Sequence, residues 1–268
     1  MAGETMPTCP PAAESFPAPR SLYGDSHTAS PHPSRSIMQI DIWSDIACPW
    51  CYVGKRRFEQ AMAQFEHRER ATVTWRSFEL DPSAPARHAE PQAVLLARKY
   101  GVSVAEADAM SARMTGAAAG EGLEFHFDRV VVGNTFDAHR LVHLAHVHGV
   151  QDAMKERLMR AYLTEGLAIG THEVLRRLGE DVGLDPAEVR DTLASDRYAS
   201  DVRADERRAR ELGISGVPFF VLGGKYGVSG AQSAELLLEA ISQAYAETVP
   251  ALVTTAGGPR CDENGCAI

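Results

Sequence analysis

The chain of 268 residues is 44% hydrophobic and carries a formal net charge of −9, which is enough apolar material for one elaborated domain or two small ones. The acidic balance argues against a general nucleic-acid binder, whose phosphate contacts require a lysine- or arginine-rich face. No run approaches the roughly 18 consecutive apolar residues of a membrane-spanning helix, so neither nucleic acid nor a membrane is an expected partner.

The first 37 residues hold Pro7, Pro10, Pro11, Pro17, Pro19, Pro31 and Pro33 among small and polar side chains, a composition that predicts a disordered leader. They lack the basic stretch followed by an apolar one that marks a secretory signal, and Met38 is an alternative start. A cytoplasmic location is the expectation. In that reducing compartment the five cysteines are expected to serve catalysis, redox sensing or metal binding rather than structural bridging. Cys9, alone in the leader, has no evident role.

From Gln39 to Trp43 polar and apolar residues alternate, which predicts a strand running towards Cys48-Pro49-Trp50-Cys51. Phe58, Met62 and Phe65 then recur at helical spacing, so a helix starts near the motif and ends before Arg70. Ala71 to Leu80 predicts a second strand, closed by Asp81-Pro82. The helical period dominates from Glu90 to Leu212, with helices predicted near 91–100, 103–119, 134–148, 151–165, 171–182, 186–194 and 197–212. Asn134 is expected to cap one of them, with Ala138, Leu141, Val142 and Ala145 as its apolar stripe. Gly213 fits the left-handed position past the last helix. Phe219–Leu222 and Lys225–Ser229, separated by Gly223-Gly224, predict a hairpin. A final amphipathic helix is expected to bury Leu236, Leu237 and Ala240. The order is β-α-β, a helical block, then β-β-α.

Cys48 and Cys51 lie where the first strand gives way to the helix. Unpaired N–H groups and the positive end of the helix dipole favour a thiolate there. The spacing lets Cys51 resolve a mixed disulfide formed at Cys48. Pro49 suits the first helical turn, having no N–H to leave unpaired. A zinc half-site and two inert core cysteines are the competing readings. Downstream, Pro218 heads a strand, either as a trans residue or after a cis bond that turns the chain.

Three segments carry a family likeness. They are Ser44-Asp45-Ile46-Ala47-Cys48-Pro49-Trp50-Cys51-Tyr52-Val53-Gly54, Asn134-Thr135 with Ala138-His139-Arg140, and Gly216-Val217-Pro218-Phe219 with Ser229-Gly230-Ala231-Gln232. Over about residues 38–246 the chain resembles the DsbA-like branch of the thioredoxin superfamily and, within it, the FrnE-type cytoplasmic proteins. The resemblance implies an α/β thioredoxin-like fold with a large all-helical insertion. The thioredoxin-like domain would take residues 38–88 and 213–247, the insertion 89–212, and a flexible tail 248–268. It further implies a cis Val217–Pro218 bond facing Cys48, with Val217 and Pro218 in contact with substrate. Pro49 and Trp50 are further candidate substrate contacts, Trp50 either gripping unfolded protein or packing.

Periplasmic DsbA has a histidine between its cysteines and this chain has Pro-Trp, which implies a less oxidising centre. Lys55, one turn beyond Cys51, either restores part of the lost positive charge or is a solvated surface residue, and Asp45 would oppose it if close. His139, His143 and His146 share a helix face, but no carboxylate or cysteine completes a ligand set, so no metal is expected. His139 and Arg140 are expected instead to hold the helical block against the thioredoxin-like core. Met110 and Met114 are expected core residues.

Cys261 and Cys266 form a second dithiol around Asn264-Gly265, which favours a tight turn. A secondary redox couple is the expected role, and a zinc site built from both pairs is its rival. The sequence therefore points to a thiol–disulfide oxidoreductase or isomerase acting on protein thiols and disulfides. No cofactor is expected, and glutathione or the thioredoxin system is the candidate electron donor. The alternatives are a glutathione-using transferase or isomerase of the kappa-like branch, which usually keeps a serine or a single cysteine, and a non-enzymatic adaptor presenting a partner to a protease.

Overall fold

The structure, a computed structural model, describes residues 38–248, 261–262 and 265–266; the expected leader disorder and most of the tail lie outside them. β1 (Met38–Ser44) leads to α1 (Pro49–Gln64), and after a 3-10 turn at Arg68–Arg70 β2 (Ala71–Ser77) returns parallel to β1. β3 (Phe219–Leu222) pairs antiparallel with β1 and with β4 (Tyr226–Ser229), giving the sheet order β2-β1-β3-β4. Leu222 pairs with Tyr226, so the hairpin loop is Gly223, Gly224 and Lys225, one residue longer than expected; both glycines have positive φ.

Period-two alternation sets the two faces of the sheet. Met38, Ile40 and Ile42 of β1 are buried in the main core cluster with Phe58 of α1 and with Leu237 and Ile241 of α9 (Ala234–Thr248). Phe58 stacks on Phe220 at 5.7 Å, and Phe65 meets Tyr245 edge-on at 5.4 Å. Trp43 points to the other face, where it packs with Ala209 and Ile214 and donates its indole N–H to the Asp205 carbonyl at 2.9 Å.

Seven helices stand between β2 and β3: α2 (Gln92–Tyr100), α3 (Val104–Ala119), α4 (Phe136–Val147), α5 (Gln151–Leu163), α6 (His172–Asp181), α7 (Pro186–Leu193) and α8 (Ala199–Glu211). Each lies within two residues of its predicted bounds. At the free edge of β2 the Gln151 amide donates to the Trp75 carbonyl and accepts from its N–H, both at 3.0 Å.

Four further details differ from the sequence expectation. β2 stops at Ser77 rather than Leu80, because the chain bends away there: Asp205 takes the Ser77 N–H and Asp45 the Leu80 N–H. Asn134 stands one residue ahead of the capping position, which Thr135 holds, although the Asn134 side chain still accepts the Phe136 N–H at 2.8 Å. Leu236 is exposed, since the buried stripe of α9 runs through Ala234, Leu237, Ile241, Ala244 and Tyr245 and residue 236 falls off it. Arg140 does not brace the block against the sheet: it donates to the carbonyls of Thr192, Ser195 and Arg197 at the end of α7 and pairs with Asp137.

Candidate active site

Strand register assembles the site. β1 and β3 are antiparallel and Trp43 pairs with Phe219, so the end of β1 and the start of β3 lie side by side. Cys48 is the residue at the N-terminal cap of α1 and Pro49 is the first helical residue. The Val217–Pro218 bond is cis. The Cys48 thiol, 6% exposed, donates to the Val217 carbonyl oxygen at 3.6 Å. Behind it Cys51 is fully buried. Burial, together with a hydrogen bond and charge from Cys48, pushes the Cys51 thiol well above its ordinary pKa. Trp50, 46% exposed, stands out into solvent beside the pair.

Glycines allow the close approach of α1 to the proline loop. A Cβ on Gly54 would come within 2.9 Å of Pro218 Cγ. The loop is held from behind: the Gly230 N–H donates to the Pro218 carbonyl at 2.8 Å, and Arg57 donates to the Ala231 carbonyl at 2.6 Å. Gly230 has positive φ.

A buried polar layer lies under the helix start. Asp45, 1% exposed, accepts from the backbone N–H groups of Ala47 and Leu80 at 3.3 and 2.7 Å and meets His139 Nε2 at 3.4 Å. Burial would raise the Asp45 carboxyl, but His139, the Leu80 N–H and the charge of Lys155 outweigh it and hold the carboxyl below its usual range. Burial holds His139 below the ordinary imidazole value. His139 thus joins the helical block to the loop between β1 and α1, as the sequence suggested for it. Asp45, Ala47, His88, Leu95 and Lys99 help line a cleft of about 440 Å³ on this side.

The histidines expected to share a face diverge. His143 meets Ser77 and Asp205, each at 3.1 Å, and His146 is exposed. Among the described residues no cluster of three or more His, Cys, Asp or Glu side chains is arranged to hold a metal. In the tail, β5 (Cys261–Asp262) and β6 (Gly265–Cys266) pair antiparallel with Cys261 opposite Cys266. Cys9 lies outside the described residues.

Residues 39–242 match the family model described as the DSBA-like thioredoxin domain. The chain belongs to this family. It is a protein-disulfide oxidoreductase of DsbA-like fold, with the helices inserted between β2 and β3. A solved structure of a "probable DsbA oxidoreductase" from Streptomyces coelicolor is 45% identical, with a TM-score of 0.76, and covers 86% of this chain and 99% of that one. The uncharacterised protein YwbO of Bacillus subtilis is 29% identical over 76% of this chain and 96% of its own length. The cytosolic disulfide reductase DsbM of Pseudomonas aeruginosa, solved with GSH, is 19% identical at a TM-score of 0.52, covering 78% and 96%, a likeness that shows the fold alone.

Two lysines of this DsbA-like centre stand differently from the sequence reading. Lys55 is not solvated: it is 2% exposed and paired with Glu59, Asp152 and Glu156, three carboxylates that offset its charge. Cys51, Lys55, Phe58 and Met62 follow one helical stripe, so residue 55 turns inward, and α5 supplies two of its carboxylates. Lys155, which the sequence reading passed over, is fully buried and donates to the Ser44 carbonyl at 3.0 Å. Its signal was the spacing of Gln151, Lys155, Leu158 and Tyr162, a stripe at i, i+4, i+7 and i+11.

Proposed function

We propose that this DsbA-like protein exchanges disulfides with protein substrates through Cys48 as attacking thiol and Cys51 as resolving thiol. The observation that carries the reading is the approach of Cys48 Sγ to the Val217 carbonyl at 3.6 Å, with Cys51 shut in behind it. Of this pair, Cys48 is in this reading the sulfur that meets an incoming disulfide. Its thiolate attacks one substrate sulfur and expels the other as a thiolate, which takes a proton from solvent; Cys51, on losing its proton, attacks Cys48 Sγ, releasing the second substrate sulfur as a thiolate that is protonated in turn and leaving Cys48–Cys51 oxidised. Isomerisation uses the same first step, with a second substrate thiol displacing Cys48. Pro49, Trp50, Val217 and Pro218 are the substrate contacts in this reading, exposed Trp50 offering an apolar surface.

The FrnE-type assignment, the cytoplasmic location and the division into a domain of 38–88 and 213–247 with an insertion over 89–212 belong to the same proposal. Among the described residues no helix is long and apolar enough to cross a membrane. Glutathione or the thioredoxin system would return the centre to the dithiol. The cleft beside Ala47, with His88 and Lys99 in its wall, suits the carboxylates of a small acidic thiol. The retained pair of cysteines weighs against a kappa-like transferase.

Cys261 and Cys266 act as a secondary couple. Directly opposed residues of an antiparallel pair have Cα atoms about 4.5–5.5 Å apart, within the span of a disulfide. Mass spectrometry of partly oxidised protein, digested without reduction, should find a Cys261–Cys266 link; a tail that stays reduced while Cys48–Cys51 oxidises sinks this role. The primary reading is tested by reduction of insulin with dithiothreitol as donor. Cys48→Ser should abolish it, Cys51→Ser should trap substrate on Cys48, and activity persisting without Cys48 moves the nucleophile elsewhere.

A further inference from the structure

A resolving cysteine must lose its proton before it attacks, and a group close to it must receive that proton. Cys51 is walled off from water, so the acceptor has to be internal. Two polar groups beside it lack the partners their burial calls for. Lys155 has three N–H donors and no exposure, yet it makes one hydrogen bond, to Ser44 O, stands 5.8 Å from the centre of the Trp75 ring, and among the described residues forms no ion pair. Lys55, the other buried lysine, has three carboxylates. The hydroxyl of Ser44 is likewise buried with no conventional acceptor. Both groups act on Cys51: the Ser44 hydroxyl and the Lys155 charge each favour its thiolate, and Cys51 is in turn the foremost charge acting on Lys155.

We propose that Ser44 Oγ and Lys155 Nζ form a receptor for the resolving thiolate, Lys155 taking the Cys51 proton and Ser44 donating to the sulfur that it leaves. This inference rests on the assignment of Cys48 as the attacking thiol. In the mixed disulfide the Cys51 S–H bond breaks and its proton passes to the neutral Lys155 amine, making the ammonium. The Cys51 electron pair forms a bond to Cys48 Sγ while the Cys48–substrate S–S bond breaks. The substrate sulfur departs as a thiolate and takes a proton from solvent. Lys155 then returns its proton to solvent, with Asp45, which feels its charge and lines the open cleft, as the neighbouring carboxylate.

Burial lowers the Lys155 ammonium to about 8, so a minor fraction is neutral amine at about pH 7 and most of it above about pH 8, far more than in an ordinary lysine. The titratable groups that face it are Cys48 and Cys51 at the helix start, Asp45 in the preceding loop, Lys55 on α1 and His139 on α4. In the dithiol the two unsatisfied groups wait, and the thiolate gives both a partner. They therefore stabilise the state that resolution passes through more than the one before it.

The test uses the full chain and the chromogenic disulfide dithiobis(nitrobenzoate). In a full-length chain whose Cys9, Cys261 and Cys266 are replaced by serine, one equivalent of coloured thiol is released when Cys48 attacks and a second when Cys51 resolves, so a stopped-flow trace separates the two steps; every variant is compared in that background. Lys155→Met, an apolar replacement of similar length, should slow the second release roughly a hundredfold near neutral pH and move its pH midpoint upward, leaving the first release in place. Ser44→Ala should slow only the second release, by roughly tenfold. Unchanged second phases overturn the receptor, and so does equal slowing of both phases, which would mark general support of the fold. If Lys155→Met does not fold, the Ser44→Ala trace decides alone. In that background, a chain with Ser44 and Lys155 intact but without the first release refutes the Cys48 assignment instead.

Discussion

Cys48 and Val217 stand 169 residues apart in the chain, and the Cys48 thiol donates to the Val217 carbonyl at 3.6 Å. The bond exists only while Cys48 carries a proton. Once its sulfur is engaged in a disulfide, the thiol proton is gone and the carbonyl is free to accept another N–H. The redox state of Cys48 and the opening of one backbone acceptor are thereby linked at one oxygen atom.

The spacing between α1 and this loop is tested by Gly54→Ala. The added Cβ would lie 2.9 Å from the Cγ of Pro218, a residue whose backbone carbonyl is held by the hydrogen bond from Gly230, so the loop must shift to make room. Overpacking of this kind costs about 1–3 kcal/mol. Insulin reduction should fall by more than that loss of stability explains, measured as activity per folded molecule beside a thermal melt. Full activity with a normal melt refutes the close fit.

Trp50→Ala separates substrate grip from chemistry. The indole is 46% exposed, so its removal should leave the melt and the rate with a small aromatic disulfide nearly unchanged. The rate with insulin should fall about fivefold, equivalent to about 1 kcal/mol of lost apolar contact. Equal rates for both variants on insulin would assign Trp50 no part in binding.

Much of this was legible in the sequence, because two periods govern most of it. Alternation in Gln39–Trp43 and the stripe of Phe58, Met62 and Phe65 are read by any face that must be buried, and Cys48-Pro49-Trp50-Cys51 falls where the two periods meet. The buried lysines were not legible for a specific reason. A lysine in a helix is by default solvated, and only the partner element decides otherwise: Asp152 and Glu156 come to Lys55 from α5, and the Ser44 carbonyl comes to Lys155 from β1. Periodicity names the inward face of a helix without naming what stands opposite. Leu236 shows the converse, an apolar residue predicted inside that the stripe leaves out.

Glu79 gives a pH prediction. Burial and the like charge of Glu206 raise its carboxyl to about 7 despite the bond from Arg203. A carboxyl raised above its unfolded value adds stability that is complete below about 4.5 and is lost as the pH rises through about 7. The melting temperature should therefore fall across that window. Glu79→Gln should flatten the fall and raise the melting temperature by a few degrees at pH 8, whereas parallel profiles for the two proteins would refute the assignment.

Arg140→Met removes the donor shared by the Thr192, Ser195 and Arg197 carbonyls. The expected loss is about 2–4 kcal/mol, as for hydrogen bonds to a charged group with acceptors left buried. Because these contacts tie α4 to α7 and do not reach the cysteines, insulin reduction per folded molecule should stay near the wild-type value. A large loss of that specific activity would place Arg140 nearer the chemistry than its contacts do.

The amide of Gln151 has a consequence for how the molecule meets its own copies. A parallel strand at the rim of a sheet exposes a row of donors and acceptors that another chain can continue, and β2 is such a strand. Gln151 occupies the N–H and the C=O of Trp75 with one side chain, in the manner of a single residue of a fifth strand that never arrives. With Trp75 already paired, a strand from a second copy that approached this rim would have to displace Gln151 before it could continue the sheet.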